Sequence, residues 1–185
     1  MAITAMHGKT KTPAELDHYY KTPASCVKAI VARESFGHNI WDCCTGDGAI
    51  ADALMDSGFS VVATELKDRG YGLTGRDFLQ EDTLLAPEMI INPPFKLADE
   101  FVSHAINLGV RKLAVFQRLA WLEGGKRLNT LWRVHPPSRI WVFSKRQTLW
   151  RGDDPDAKAS GGAIPFAWFV WEKNHKGPVL DWIGD

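Results

Sequence analysis

Cysteine is scarce in this chain: three in 185 residues, two of them adjacent as Cys43-Cys44, so neither a disulfide framework nor a CxxC zinc pattern can be drawn. That excludes the small cross-linked secreted scaffolds and leaves a reducing compartment as the expectation. Long apolar runs are missing too. No stretch approaches the roughly 20 apolar residues of a membrane span, and Met1-Ala2-Ile3-Thr4 has no charged region leading into an apolar one. A soluble, cytoplasmic protein without membrane contacts or a metal is expected. Net charge is absent as well, with 22 Lys and Arg against 22 Asp and Glu, so overall charge selects no partner. Neither an internal repeat nor a low-complexity tract is visible. The full GxGxxG and GxxxxGK[ST] patterns are lacking, which argues against pyrophosphate and triphosphate ligands.

What is present is an alternation of strand and helix signals over a length suited to one domain. Residues 1–18 are polar and without period and are expected to form a mobile arm, with residues 19–185 as the folded domain. Thr22-Pro23 should open a helix, Thr22 as its cap and Pro23 in its first turn. A buried strand over 39–43, the turn Thr45-Gly46-Asp47-Gly48, a helix over 49–57 stopped at Gly58 and a strand over 60–65 make a βαβ unit. Its right-handed crossover places the glycine turn at the carboxyl end of the sheet, where open α/β sheets bind ligands. A short strand before Asp77, strands over 89–92 and 112–116, helices over 97–108 and near 122–132, and β segments over 139–143 and 166–171 complete the pattern. The last two flank a Gly/Asp/Ser-rich loop over 152–162. The prediction is an α/β fold with a mostly parallel seven-stranded sheet and helices on both faces.

Charge is segregated although it sums to zero. From Arg111 to Arg151 there are ten Lys and Arg against one acid, Glu123. Arg118, Lys126, Arg127, Lys145, Arg146 and Arg151 are therefore candidate phosphate contacts, with Trp132 and Trp150 as candidate packing partners for a nucleic acid. The earlier half carries the acids. Asp42, at the end of the first buried strand, would repel a phosphate and attract a cationic ligand. Glu65 ends the next strand at the spacing of a ribose-binding acid. Asp77-Phe78 offers an acceptor and an apolar wall for a base. Cys43 and Cys44 read as packing residues, and His135 as a loop residue before two prolines.

Asn92-Pro93-Pro94-Phe95, after the apolar run Met89-Ile90-Ile91, is the most specific motif. Two prolines donate no backbone hydrogen bonds and fix φ, so the strand must end in an extended elbow. The Asn92 amide oxygen and the Pro93 carbonyl can accept both hydrogens of a planar amino group while Phe95 stacks on its ring.

These motifs in this order resemble the S-adenosylmethionine-dependent DNA adenine-N6 methyltransferases, small phage-type members included. Tyr19-Tyr20-Lys21-Thr22-Pro23 is similar to the family's Phe-Tyr-x-Thr-Pro segment, Asp42 to Gly48 to its D-x-x-x-G-x-G loop, and Asn92 to Phe95 to its [DNS]-P-P-[YFW] motif. The resemblance implies a Rossmann-like methyltransferase fold and a cofactor site made of Tyr20, Thr22, Pro23, Asp42, Thr45, Gly46, Gly48, Glu65, Asp77 and Phe78. It further implies catalysis at Asn92, Pro93, Pro94 and Phe95 on a DNA adenine flipped from the stack. The chain departs from the family at Cys43-Cys44, and its size leaves loops alone for target recognition. RNA guanine-N2 and protein-glutamine methyltransferases share the Asn-Pro-Pro-aromatic elbow, and a binding module without turnover is a further alternative.

Overall fold

The computed structural model describes residues 20–151, 164–175 and 177–184; the expected arm over 1–18 and the 152–162 loop lie outside these residues. The molecule is built on one mixed sheet. In chain order its strands are β2 (Asn39–Asp42), β3 (Ser60–Glu65), β4 (Leu73–Thr74), β5 (Glu88–Ile91), β6 (Lys112–Arg118), β7 (Arg139–Phe143), β9 (Phe166–Glu172) and β10 (Val179–Ile183), and in space they run β10-β7-β9-β6-β5-β2-β3-β4. Every pairing is parallel except the two made by β9. The sheet holds eight strands rather than the expected seven, because β10 adds itself beside β7. A separate antiparallel pair joins β1 (Tyr20–Lys21) to β8 (Trp150–Arg151).

Each strand sends alternate side chains to two cores. Trp41, Met89, Ile91, Leu113, Val115, Phe169 and Trp171 face one, together with Phe101, Val102 and Ala105 of α3 (Ala98–Asn107). Ile40, Ile90, Ala114, Phe116, Trp168 and Val170 face the other, against α1 (Ala24–Val31) and α2 (Ala49–Met55). Strand β5 is buried at all four residues, which is why its sequence shows a run and no alternation. Helices therefore cover both faces. Ala and Leu favour α2, Gly48 enters it at φ 93° and Gly58 follows its end at φ 90°.

Two local expectations are corrected. Pro23 is the residue before α1, not in its first turn, and Thr22 makes no cap to that helix. The helix expected near 122–132 is broken into a 3-10 turn (Leu119–Leu122), a short α4 (Gly125–Arg127) and a π turn (Leu128–Trp132). Gly124 and Gly125 weaken any continuous helix there. Among the described residues no helix is long and apolar enough to cross a membrane.

Candidate active site

The carboxyl ends of β2, β3, β5 and β6 surround a cavity of about 780 Å³. It is lined by Tyr20, Cys43, Cys44, Glu65, Asp77, Phe78, Pro94, Phe95 and Arg118, and also by Leu66, Lys67, Arg76, Leu79, Lys96, Leu97 and Phe101. A parallel sheet brings these together because every βα turn falls on the same edge. The second group was not singled out in the sequence. Lys67 and Lys96 each follow a strand-end motif by one or two positions, which is the signal that marks them.

Asp42 ends β2 fully buried, and Cys44 N–H reaches its Oδ1 at 3.5 Å while Oδ2 has no hydrogen-bond partner. Burial pushes its pKa up to about 7, outweighing the lowering influence of the Thr45 hydroxyl and the Cys44 N–H, and Glu65 adds to the rise. Thr45 is also buried, its hydroxyl beside Asp42 but with no partner in full hydrogen-bond geometry. Glu65 braces the turn, its Oε2 accepting from Gly46 N–H at 2.9 Å and its Oε1 from Lys67 N–H at 3.1 Å. Asp47, inside the same turn, is ion-paired with Lys21. Gly46 and Gly48 both adopt positive φ. At Gly48 the ring of Tyr71 occupies the space a Cβ would need, and its hydroxyl donates to Asp52 of α2 at 2.5 Å. Asp77 Oδ1 accepts from Leu79 N–H at 3.0 Å and opens a 3-10 turn (Phe78–Gln80). That turn sets the buried Phe78 against Trp41, Phe101 and His104.

Asn92 follows β5 and is fixed by the N-terminal segment. Its Nδ2 donates to the Tyr20 carbonyl at 2.9 Å and to Thr22 Oγ1 at 3.0 Å. The opposite amide orientation would set Oδ1 against a carbonyl oxygen, so the network determines which atom remains. That atom is Oδ1, buried and without a partner. Pro93 is buried, and the Pro94 carbonyl accepts from Leu97 N–H at 2.8 Å to turn the chain into α3. The Phe95 ring, expected to await a base, is already engaged. Tyr20 stacks on it with centroids 5.5 Å apart, and the Arg118 guanidinium lies 4.3 Å from its centroid.

The basic residues separate into different roles. Arg127 spends its guanidinium on Asp99 and on the carbonyls of Trp121 and Glu123, which makes it a brace between α3 and the segment after β6. Trp132 packs against Trp121, Phe169 and Trp171 in the core, not on an exposed face. Lys126 is exposed in the connection after β6, and Lys145 and Arg146 are exposed just past the carboxyl end of β7. Arg151 lies in β8 opposite Tyr20. Among the described residues no cluster of His, Cys, Asp and Glu is placed to hold a metal ion.

No family model matches the chain, and no curated protein resembles it in sequence. Solved structures do resemble it. A candidate RNA methyltransferase from Pyrococcus horikoshii aligns with a TM-score of 0.57 at 15% identity, over 86% of this chain and 89% of that one. The modification subunit of a candidate type I restriction enzyme from Vibrio vulnificus aligns with a TM-score of 0.56 at 14% identity, over 89% of this chain and 46% of that one. A SAM-dependent O-methyltransferase from Thermotoga maritima gives 0.51 at 12% identity, over 92% and 69%. The fold is the Rossmann-like methyltransferase fold.

Proposed function

We propose that the chain is an S-adenosylmethionine-dependent methyltransferase acting on the N6 amino group of adenine in DNA, with the base flipped into the cavity beside Asn92-Pro93-Pro94-Phe95. One observation carries the reading: both amide hydrogens of Asn92 are consumed by Tyr20 and Thr22, so the residue offers a bare, buried acceptor. A buried oxygen without a donor is costly unless a ligand supplies one. An exocyclic amino group does.

The cofactor fits the donor set. The unpartnered Asp42 Oδ2 and Thr45 hydroxyl suit a cationic ligand with hydrogen-bond donors, Glu65 faces the cavity, and about 780 Å³ is room for a nucleoside-sized molecule. Bound there, S-adenosylmethionine would supply an activated methyl group on its sulfonium, the S–C bond breaking to leave a neutral thioether as the N–C bond forms. The protein supplies position and polarisation. Asn92 Oδ1 accepts one amino hydrogen and the Pro93 carbonyl the other, which localises the nitrogen lone pair and stabilises the positive charge that grows as the N–C bond forms. The nitrogen gains the methyl group, sheds one proton to water and ends neutral. Target contacts fall to the exposed Lys126, Lys145 and Arg146, in the segments after β6 and β7.

Transfer of labelled methyl groups to DNA tests this. Asn92→Ala should lose at least about 100-fold in rate, as expected for removal of one charge-stabilising hydrogen-bond partner, while cofactor affinity stays within about twofold. A wild-type rate in that variant would remove the mechanism.

A further inference from the structure

Arg118 closes β6 and reaches over Phe95, inside the cavity. Its Nε is buried and has no hydrogen-bond partner among the described residues, an uncommon state for a guanidinium. Tyr20, which stacks on the same ring, is tied down differently. Its carbonyl holds the Asn92 amide and its strand pairs with β8. Phe166 also meets the ring, tilted with centroids 6.2 Å apart; of the groups on Phe95, Tyr20 is anchored through its backbone, whereas Arg118 is held by the face of the ring and leaves a donor unsatisfied. A planar base that stacks on Phe95 must take the space the guanidinium fills.

We propose that Arg118 is a resident stand-in for the acceptor base, planar and rich in donors as the base edge is, which leaves Phe95 for a backbone phosphate when the base enters. The proposal rests on the function given above and narrows its substrate class. Displacing the guanidinium forfeits its cation–π contact, and an anion beside the incoming base restores a partner for it. A base within a polynucleotide provides that phosphate. A free nucleoside or a protein amide does not, so wild-type protein should discriminate against both.

Two measurements on wild type, Arg118→Ala and Arg118→Lys test it. In wild type the Nε–H resonance of Arg118, assigned by its loss in Arg118→Lys, should be displaced by the Phe95 ring current. It should return to its ordinary position when a short adenine-containing DNA oligonucleotide is added. In binding titrations, Arg118→Ala should take free adenosine about fivefold tighter than wild type, by removal of a competing cation–π contact, and the oligonucleotide about tenfold weaker, by loss of a phosphate partner. Arg118→Lys should fall between. An Nε–H signal that the oligonucleotide does not move, or affinities for the two probes that change in the same direction, would overturn the proposal. If DNA is methylated yet the two affinities move together, this inference alone fails. If no DNA is methylated but the ring-current and opposed affinity changes appear, the stand-in role survives and the assigned reaction fails.

Discussion

Asp42 is a carboxylate that the fold holds against ionisation. It is fully buried beside Glu65, and its pKa is pushed up to about 7, whereas an unfolded chain would release the proton near 3.9. The folded state thus holds a proton that the unfolded state lacks. This residue's contribution to stability is complete below about 3.9 and is lost as pH rises through about 7. A cationic ligand at the turn opposes that loss by favouring the charged form. Cofactor affinity should therefore rise with pH up to about 7, by as much as about tenfold per unit, and level off above it. In Asp42→Asn it should be weaker and flat. Calorimetric titration across that range checks both, and a flat wild-type profile would mean that Asp42 does not face the cation. Burial raises the pKa of Cys43, and the hydrogen bond with Cys43 followed by burial raises that of Cys44, so both stay protonated and pack as their sequence position suggests.

At the scale of elements, the decisive contact joins the segment before α1 to the loop after β5. Thr22 is buried and accepts from Asn92, 70 positions away. Thr22→Val keeps the shape and removes the acceptor, freeing the Asn92 amide to turn. The rate should fall about tenfold, in line with loss of one neutral hydrogen bond of about 1.4 kcal/mol. Thr22→Ser should restore it, as steady-state kinetics of the three proteins would show. Sequence made Thr22 a helix cap, because a Thr-Pro pair before an apolar helix usually is one, and a partner so distant leaves no local pattern. The same logic divides the rest of the fold. Strands over 60–65 and 139–143 were legible to the residue because their composition and turn signals are local. By contrast, β1 and β8 have two residues each and no period, and they exist only by pairing with each other. Strand β10 buries Ile183 alone, so no alternating pattern announced it. The acids and glycines of the turn after β2 were legible as types. The Tyr71 ring against Gly48, the brace at Arg127 and the guanidinium on Phe95 depend on packing between distant elements.

At the scale of the whole fold, two buried sets of polar groups lie at opposite edges of the sheet. At the edge opposite the cavity, buried Glu34 pairs with Lys112 at 2.6 Å and Arg139 at 2.5 Å and accepts from the Trp141 indole at 2.7 Å, while Glu172 completes the group through Arg139. Burial alone would raise the Glu34 pKa, but the bonds from Arg139, Lys112 and Trp141 together outweigh it and hold the carboxyl below its usual range. Its stabilising contribution is present above the ordinary carboxylate value and disappears as pH falls through the lowered one. Glu34→Gln removes one carboxylate from buried Lys112 and half-buried Arg139, which both keep Glu172, and should cost about 2 kcal/mol in urea unfolding near neutral pH, with a smaller deficit in acid. The fully partnered cluster anchors β6, β7 and β9 from below. The carboxyl edge holds the buried, unpartnered Asp42 Oδ2, Thr45 Oγ1 and Asn92 Oδ1. On the proposed function, this edge methylates the amino nitrogen of adenine in DNA. Nucleoside mass spectrometry of DNA and RNA, digested after incubation with the protein and S-adenosylmethionine, decides it. N6-methyladenine should be found in the DNA and lost with Asn92→Ala; methylation confined to RNA, or no methylated base in either, would overturn the assignment.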